Sequence, residues 1–126
     1  MPFIHIKSLP LGPHIPVSSV VEEITKDVAR EAGVDLEHIT ATWEYLQAGH
    51  YAVAGKAEAR QSETSHPVIV DLLSPDFNGA VQIRKMLHAV AESISKRAKV
   101  PITNIFINHR QARSGMVFNA GDVETW

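Results

Sequence analysis

Residues 2–9 alternate. Ile4 and Ile6 fall on one side of an extended chain, His5 and Lys7 on the other. A period of two predicts a strand with one buried face. Pro10, Gly12, Pro13 and Pro16 then break regular structure. The period changes after them. Val20, Val21, Ile24, Val28 and Ala32 recur at helical spacing, with Glu23, Lys26, Asp27 and Arg30 assigned to the wet side. Ser19 and Glu22 have the spacing of a capping box. Gly33 suits the position after the last turn, where a left-handed conformation costs a glycine nothing. Ile39 to Leu46 predicts a second strand, in which Trp43 and Tyr45 favour extended backbone. The Ala-, Gly-, Ser- and charge-rich segment 47–67 fits a strand extension, a small hairpin or a loop.

The same order then returns. Val68 to Leu73 is an apolar run, expected to be a strand buried in the middle of a sheet. After Pro75 and Asp76, a helix is expected from about Asn78 to Lys99, with a stripe of Ile83, Leu87, Val90, Ile94 and Ala98. Pro101 stops it. A fourth strand follows over 102–112, and Met116-Val117-Phe118, between Gly115 and Gly121, predicts a short terminal strand or turn. A shift of 66 positions lays Ile4 on Val70, Ile6 on Leu72, Ile24 on Val90, Val28 on Ile94, Ala32 on Ala98, Val34 on Val100 and Ile39 on Ile105. The chain therefore reads as two pseudo-repeats, 2–46 and 68–112, in one domain 1–126. Parallel strands joined by right-handed crossover helices give an α+β two-layer sandwich: a four-stranded mixed sheet with both helices on one face. The other face has no helix to cover it. Its strands are rich in Ile, Phe, Val and Leu, so burial between subunits is expected.

Composition narrows the class. The chain has 126 residues, 44% apolar and 21% charged, with a net charge of −2. That balance points to no nucleic acid and no membrane as partner. There is no cysteine, which excludes disulfides, thiol nucleophiles and Cys-based metal sites. No apolar run approaches the roughly 20 residues of a membrane span, and no signal-peptide pattern opens the chain, so a cytoplasmic protein is expected. The seven histidines lack metal-ligand spacing such as His-x-x-x-His and are expected mostly at the surface. No cofactor-binding or phosphate-loop motif is present, nor a Gly-x-Ser-x-Gly elbow.

Met-Pro-Phe-Ile at the head of the first strand resembles the start of the tautomerase superfamily, which includes macrophage migration inhibitory factor and bacterial relatives. Ile105-Phe-Ile-Asn-His-Arg, Met116-Val-Phe-Asn-Ala-Gly and Phe77-Asn-Gly-Ala are similar to that family's last strand, C-terminal piece and second-helix start. The layout is similar over nearly the whole chain, and the likeness suggests a bacterial-type branch. The resemblance implies a homotrimer, no cofactor, and catalysis by Pro2. Initiator methionine is normally removed before proline, leaving a secondary amine; were Met1 retained, the Pro2 nitrogen would be an amide and no base. An apolar pocket lowers an amine's pKa, and a neutral amine can move a proton on the carbon next to a carbonyl. The implied reaction is keto–enol isomerisation of a small 2-oxo acid. Two alternatives stand beside it: a hydratase or decarboxylase run by a protonated Pro2, and a non-catalytic binding or structural oligomer.

Phe106 and Asn108 occupy positions that relatives lend to the neighbouring subunit's active site. The first is often tyrosine there, so a hydroxyl is missing here; Asn108 can bond a substrate oxygen. Arg110 shares their strand face and can hold a carboxylate, although a surface ion pair is its commoner role. His109 beside it is a further catalytic candidate, and Trp43 and Glu44 are strand residues within reach of a pocket.

Overall fold

The computed structural model describes residues 1–126. Its main sheet has strands β1 (Phe3–Ser8), β2 (Thr40–Tyr45), β5 (Val68–Pro75) and β6 (Ile105–Ala112), in the order β2-β1-β5-β6. β1 and β2 are parallel, as are β5 and β6, while β1 and β5 run antiparallel. Helix α1 (Val17–Ala32) and helix α2 (Ala80–Ala98) are the crossovers. They lie antiparallel: Gln82 near the start of α2 donates to Ala32 O at the end of α1, 2.9 Å. One core forms between helices and sheet from Ile4, Ile6, Val68, Val70 and Leu72 on the strands and Ile24, Val28, Val90 and Ile94 on the helices. Two small hairpins complete the chain, β3 (Ala52–Val53) with β4 (Lys56–Ala57) and β7 (Val117–Asn119) with β8 (Asp122–Glu124). No helix is long and apolar enough to cross a membrane.

The expected elements are present, with instructive departures. Helix α1 starts at Val17 behind Pro16, and no side chain caps it. Ser19 thus lies inside the first turn, and the capping box does not form. Pro16 fixes the entry instead, its carbonyl accepting from Val20 N at 3.0 Å. Asp27, assigned to the wet side, is buried. It accepts from Ser93 Oγ at 2.7 Å, from Arg97 Nε and Nη2 at 2.9 Å each, and from Arg30 Nη2 at 3.0 Å. On α2 the fully buried residues are Met86, Ala89, Val90, Ser93, Ile94 and Ala98, whereas Ile83 and Leu87 pack only at the edge of the core. Strand β6 begins three residues later than expected, after a 3-10 turn at Ile102–Asn104.

Segment 47–67 is a bonded strap. Gln61 accepts from Leu9 N and donates to Ser62 O and His66 O. Asn104 Nδ2 donates to Ser62 O and Ser65 O. His66, expected at the surface, is buried: its ring nitrogens meet Ser65 Oγ at 2.9 Å and Lys56 O at 2.8 Å, and Tyr51 packs edge-on to it.

The two halves are related by a pseudo-two-fold axis, and hydrogen bonds obey the same 66-residue shift as the core. Ser8 pairs with Trp43 (3.0 Å), and their counterparts Ser74 and His109 pair likewise (2.7 Å). On the axis a position meets its own equivalent: Asp27 bonds Ser93 between the helices, and His5 stands opposite Asp71 in the sheet.

The uncovered face is less apolar than expected. Register sets three rows across it: Thr40–Phe3–Leu73–Arg110, Thr42–His5–Asp71–Asn108, and Glu44–Lys7–Ile69–Phe106. The middle row is wholly polar. Apolar Phe3, Leu73, Ile69 and Phe106 flank it, so burial of this face between subunits would enclose a line of hydrogen-bonding groups.

Candidate active site

Pro2 is buried at the head of β1, where its carbonyl accepts from Thr40 N at 3.1 Å and ties the chain start to β2. Beside it lies a cavity of about 220 Å³, lined by Met1, Phe3, Glu37, His38, Thr40, Val117, Phe118 and Asn119. Three segments converge there. The chain start supplies Met1 and Phe3, the connection into β2 supplies Glu37, His38 and Thr40, and the C-terminal hairpin closes over them. That hairpin is held down at its far end. Trp126 donates from Nε1 to Asp76 Oδ1 at 2.7 Å and from its backbone to Ser114 Oγ at 2.8 Å, and stacks edge-on against Phe77.

The electrostatics of the cavity are defined by few groups. Burial pushes the terminal amine at Met1 below its usual value, against a smaller upward pull from Glu124. Glu124 also accepts from Asn119 Nδ2 at 2.9 Å, which fixes the Asn119 amide. Glu37 is the one carboxylate in the lining, and His38, Thr40 and Asn119 are the polar groups able to meet a substrate oxygen. The lining holds no lysine or arginine.

Phe106, Asn108 and Arg110 do share one exposed face of β6. They are not at this cavity within one chain. Arg110 is level with Phe3 but two strands away, roughly 10 Å across the sheet. Phe106 is a further four residues along, about 13 Å toward the other end. Arg110 is also occupied. Its Nε lies 2.9 Å and its Nη2 2.6 Å from the two Asp71 oxygens, a forked pair that holds the Asp71 carboxyl below the usual carboxylate range. Glu44 and Asp71 line another cavity of about 330 Å³ on the open face, with His5, Lys7 and Thr42. Trp43 is half-buried and spent on Ser8. His109 points to the helix side; burial lowers its pKa, with Asp71 opposing. Its partner Ser74 is fully buried, so this Ser–His contact has no access to a substrate and mirrors the structural Ser8–Trp43 pair.

The sequence singled out Pro2, which adjoins this cavity's lining, and did not single out Glu37, His38, Thr40 or Asn119. Glu37, His38 and Asn119 each lie one or two residues outside a predicted strand, where neither period specifies a direction, and Thr40 is next to the start of one.

The equivalent end of the second repeat is closed. Val68 stands in place of Pro2, and Asn104, the counterpart of His38, is buried under the strap. Of the two equivalent ends, the Pro2 end alone is open.

No family model matches the sequence, and no curated protein matches it. Solved structures do match in shape. The structure of Pt0534 inactivated by 2-oxo-3-pentynoate superposes with a TM-score of 0.81 at 13% identity, over 97% of this chain and 94% of that one. A fused 4-OT described as a symmetric trimer gives 0.79 at 11%, over 97% and 94%. The macrophage migration inhibitory factor-like protein of Entamoeba histolytica gives 0.69 at 13%, over 97% of both chains. Tandem β-α-β units, a shared helix layer and a proline at the head of β1 accompany these matches: the chain has the fold of the tautomerase superfamily.

Proposed function

We propose that this protein interconverts the keto and enol forms of a small carbonyl compound, with Pro2 as general base after removal of Met1. The carrying observation is the burial of Pro2 between Met1 and Phe3, two residues that line a cavity with apolar Val117 and Phe118 and with polar His38, Thr40 and Asn119. Desolvation disfavours the ammonium form, and the partly buried amine at Met1 already responds in that direction. The neutral amine takes a proton from the carbon next to the carbonyl and returns it at the other end of the enolate. His38, Thr40 or Asn119 donates to the enolate oxygen, where charge develops.

Phe106 and Asn108 can reach Pro2 only from another copy of the chain. A homotrimer, the state of the fused 4-OT neighbour, would bring them: Phe106 of the partner subunit as an apolar wall and Asn108 of the partner subunit as a second donor. With no hydroxyl on Phe106, oxygen stabilisation rests on the amides and on the cavity's own donors. Arg110, committed to Asp71, organises the sheet face in this scheme. The opposite assignment is a protonated Pro2 acting as acid in a hydratase or decarboxylase. Pro2 is buried, and burial disfavours a charged amine, so the base assignment is preferred.

Intact mass of protein from its own host should be that of the chain without Met1. That protein should speed phenylpyruvate enol–keto exchange, with kcat/KM rising with pH as the Pro2 amine loses its proton and then levelling. Pro2→Ala should lose about a hundredfold or more. Retained Met1, or equal rates for the two proteins, rejects Pro2 as the base.

A further inference from the structure

The charge at the Pro2 cavity is of the wrong sign for a 2-oxo acid. A substrate carboxylate calls for a cation or a fork of donors. Here the lining contributes one carboxylate, Glu37, and a second, Glu124, is bonded to the lining residue Asn119 at 2.9 Å. On the sheet face Arg110 is paired with Asp71, and Lys7 lies four residues along β1 from Phe3, about 13 Å toward the other end. Arg30 and Arg97 are held by Asp27. The carboxylate of Glu37 makes no ion pair of its own. The connection from α1 to β2 places only Val34, Asp35, Leu36 and Glu37 before His38, so no positive side chain enters from that side.

The walls speak to shape. Phe3 and Phe118 are aromatic, Val117 is aliphatic, and Phe118 is largely exposed. With Met1 in place the cavity is about 220 Å³, above the roughly 150 Å³ that accepts a benzene ring, and removal of Met1 from the lining adds to that space. One ring with a short side chain fits.

Resting on the tautomerase reading, we infer that the cavity selects an uncharged aromatic carbonyl compound over a 2-oxo acid, and that Glu37 is the residue that sets this choice. A carboxylate held within a few ångströms of Glu37 in a partly dry site meets repulsion equivalent to about tenfold or more in binding. An ester or aldehyde at the same place meets none. Selection here works by a repulsive element against the anion as much as by attraction to the neutral ring.

The test compares the enol of phenylpyruvate with the enol of its methyl ester, on native protein lacking Met1, with Pro2→Ala, Glu37→Gln and Glu37→Lys variants. The ester should be favoured in kcat/KM by about tenfold or more. The preference should shrink in Glu37→Gln and pass to the acid in Glu37→Lys, and it should weaken at high salt. Pro2-dependent activity that favours the acid, or a preference unmoved by both Glu37 variants, overturns the inference while leaving Pro2 as the base. Activity indifferent to Pro2→Ala rejects the tautomerase reading itself. If neither enol turns over, binding of the two keto forms by NMR titration decides: tighter ester binding that Glu37→Lys reverses supports selection, and equal or absent binding overturns it.

Discussion

Asp27 illustrates what a single misassigned side chain can mean. Helical spacing put it toward solvent, yet it is buried on the pseudo-two-fold axis with three charged or polar donors. The Arg97 guanidinium, aided by Ser93 and Arg30, holds its carboxyl far below the usual carboxylate range against the opposing effect of burial. A carboxylate with a depressed folded-state pKa stabilises fully above its unfolded value, about 3.9, and loses that contribution as pH falls below it. Asp27→Ala should therefore cost about 3 kcal/mol at pH 7, because Ser93 and Arg97 are left without their acceptor. Denaturant unfolding from pH 7 to pH 2.5 checks this: the gap between native protein and Asp27→Asn should narrow only below about pH 4. A constant gap across that range would remove the ionised carboxylate from the explanation.

At the level of elements, the 66-residue shift makes a comparison available inside one chain. Gly33 ends α1 in the left-handed region, φ 67°, and its counterpart Lys99 ends α2 there too, φ 59°. A Cβ at Gly33 would touch nothing within 4 Å, so backbone strain alone governs substitution. Gly33→Ala should destabilise by about 1 kcal/mol, and Lys99→Gly should stabilise by up to about 1 kcal/mol. Thermal melts of both variants test the pair together, and melts that shift in the same direction would defeat the argument. These elements also mark what could be read beforehand. Ile4, Ile6, Ile24, Val28, Val70, Val90 and Ile94 were legible because a buried face repeats with the period of its element. The Ser19–Glu22 cap was misread because Pro16 offers a competing entry that local spacing does not reveal. Asp27 and His66 were misread because the groups that satisfy them come from distant segments, Ser93 and Arg97 for one and Lys56 for the other. Pro2 was singled out from its place in the chain, whereas Glu37 and Asn119 come to the same cavity as Met1 and Phe3 only through the fold.

For the whole molecule, the open sheet face sets the terms of assembly. In its middle row, Thr42–His5–Asp71–Asn108, His5 pairs with Thr42 at 2.9 Å, and Asp71 pairs with Arg110 of the neighbouring row. Such a face can line an assembly because the carboxylate to be buried arrives already partnered, while Phe3, Leu73, Ile69 and Phe106 supply apolar contact. Sedimentation equilibrium should give three times the 13.9 kDa chain mass, about 42 kDa, as the homotrimer proposal requires. A monomer at micromolar concentration would also leave Phe106 and Asn108 without a route to Pro2.

A residue on the pseudo-two-fold axis faces its own counterpart. Two separate, identical halves would set one aspartate against another at position 27 and one histidine against another at position 5. Like charges at such closeness repel, so a symmetric pair of identical halves must keep those places neutral. Joining the halves through 47–67 lifts that restriction, and the joined chain uses it: aspartate meets serine between the helices, and histidine meets aspartate in the sheet. The same freedom lets one end of the fold close under the strap while the other stays open, so two equivalent ends take different surfaces.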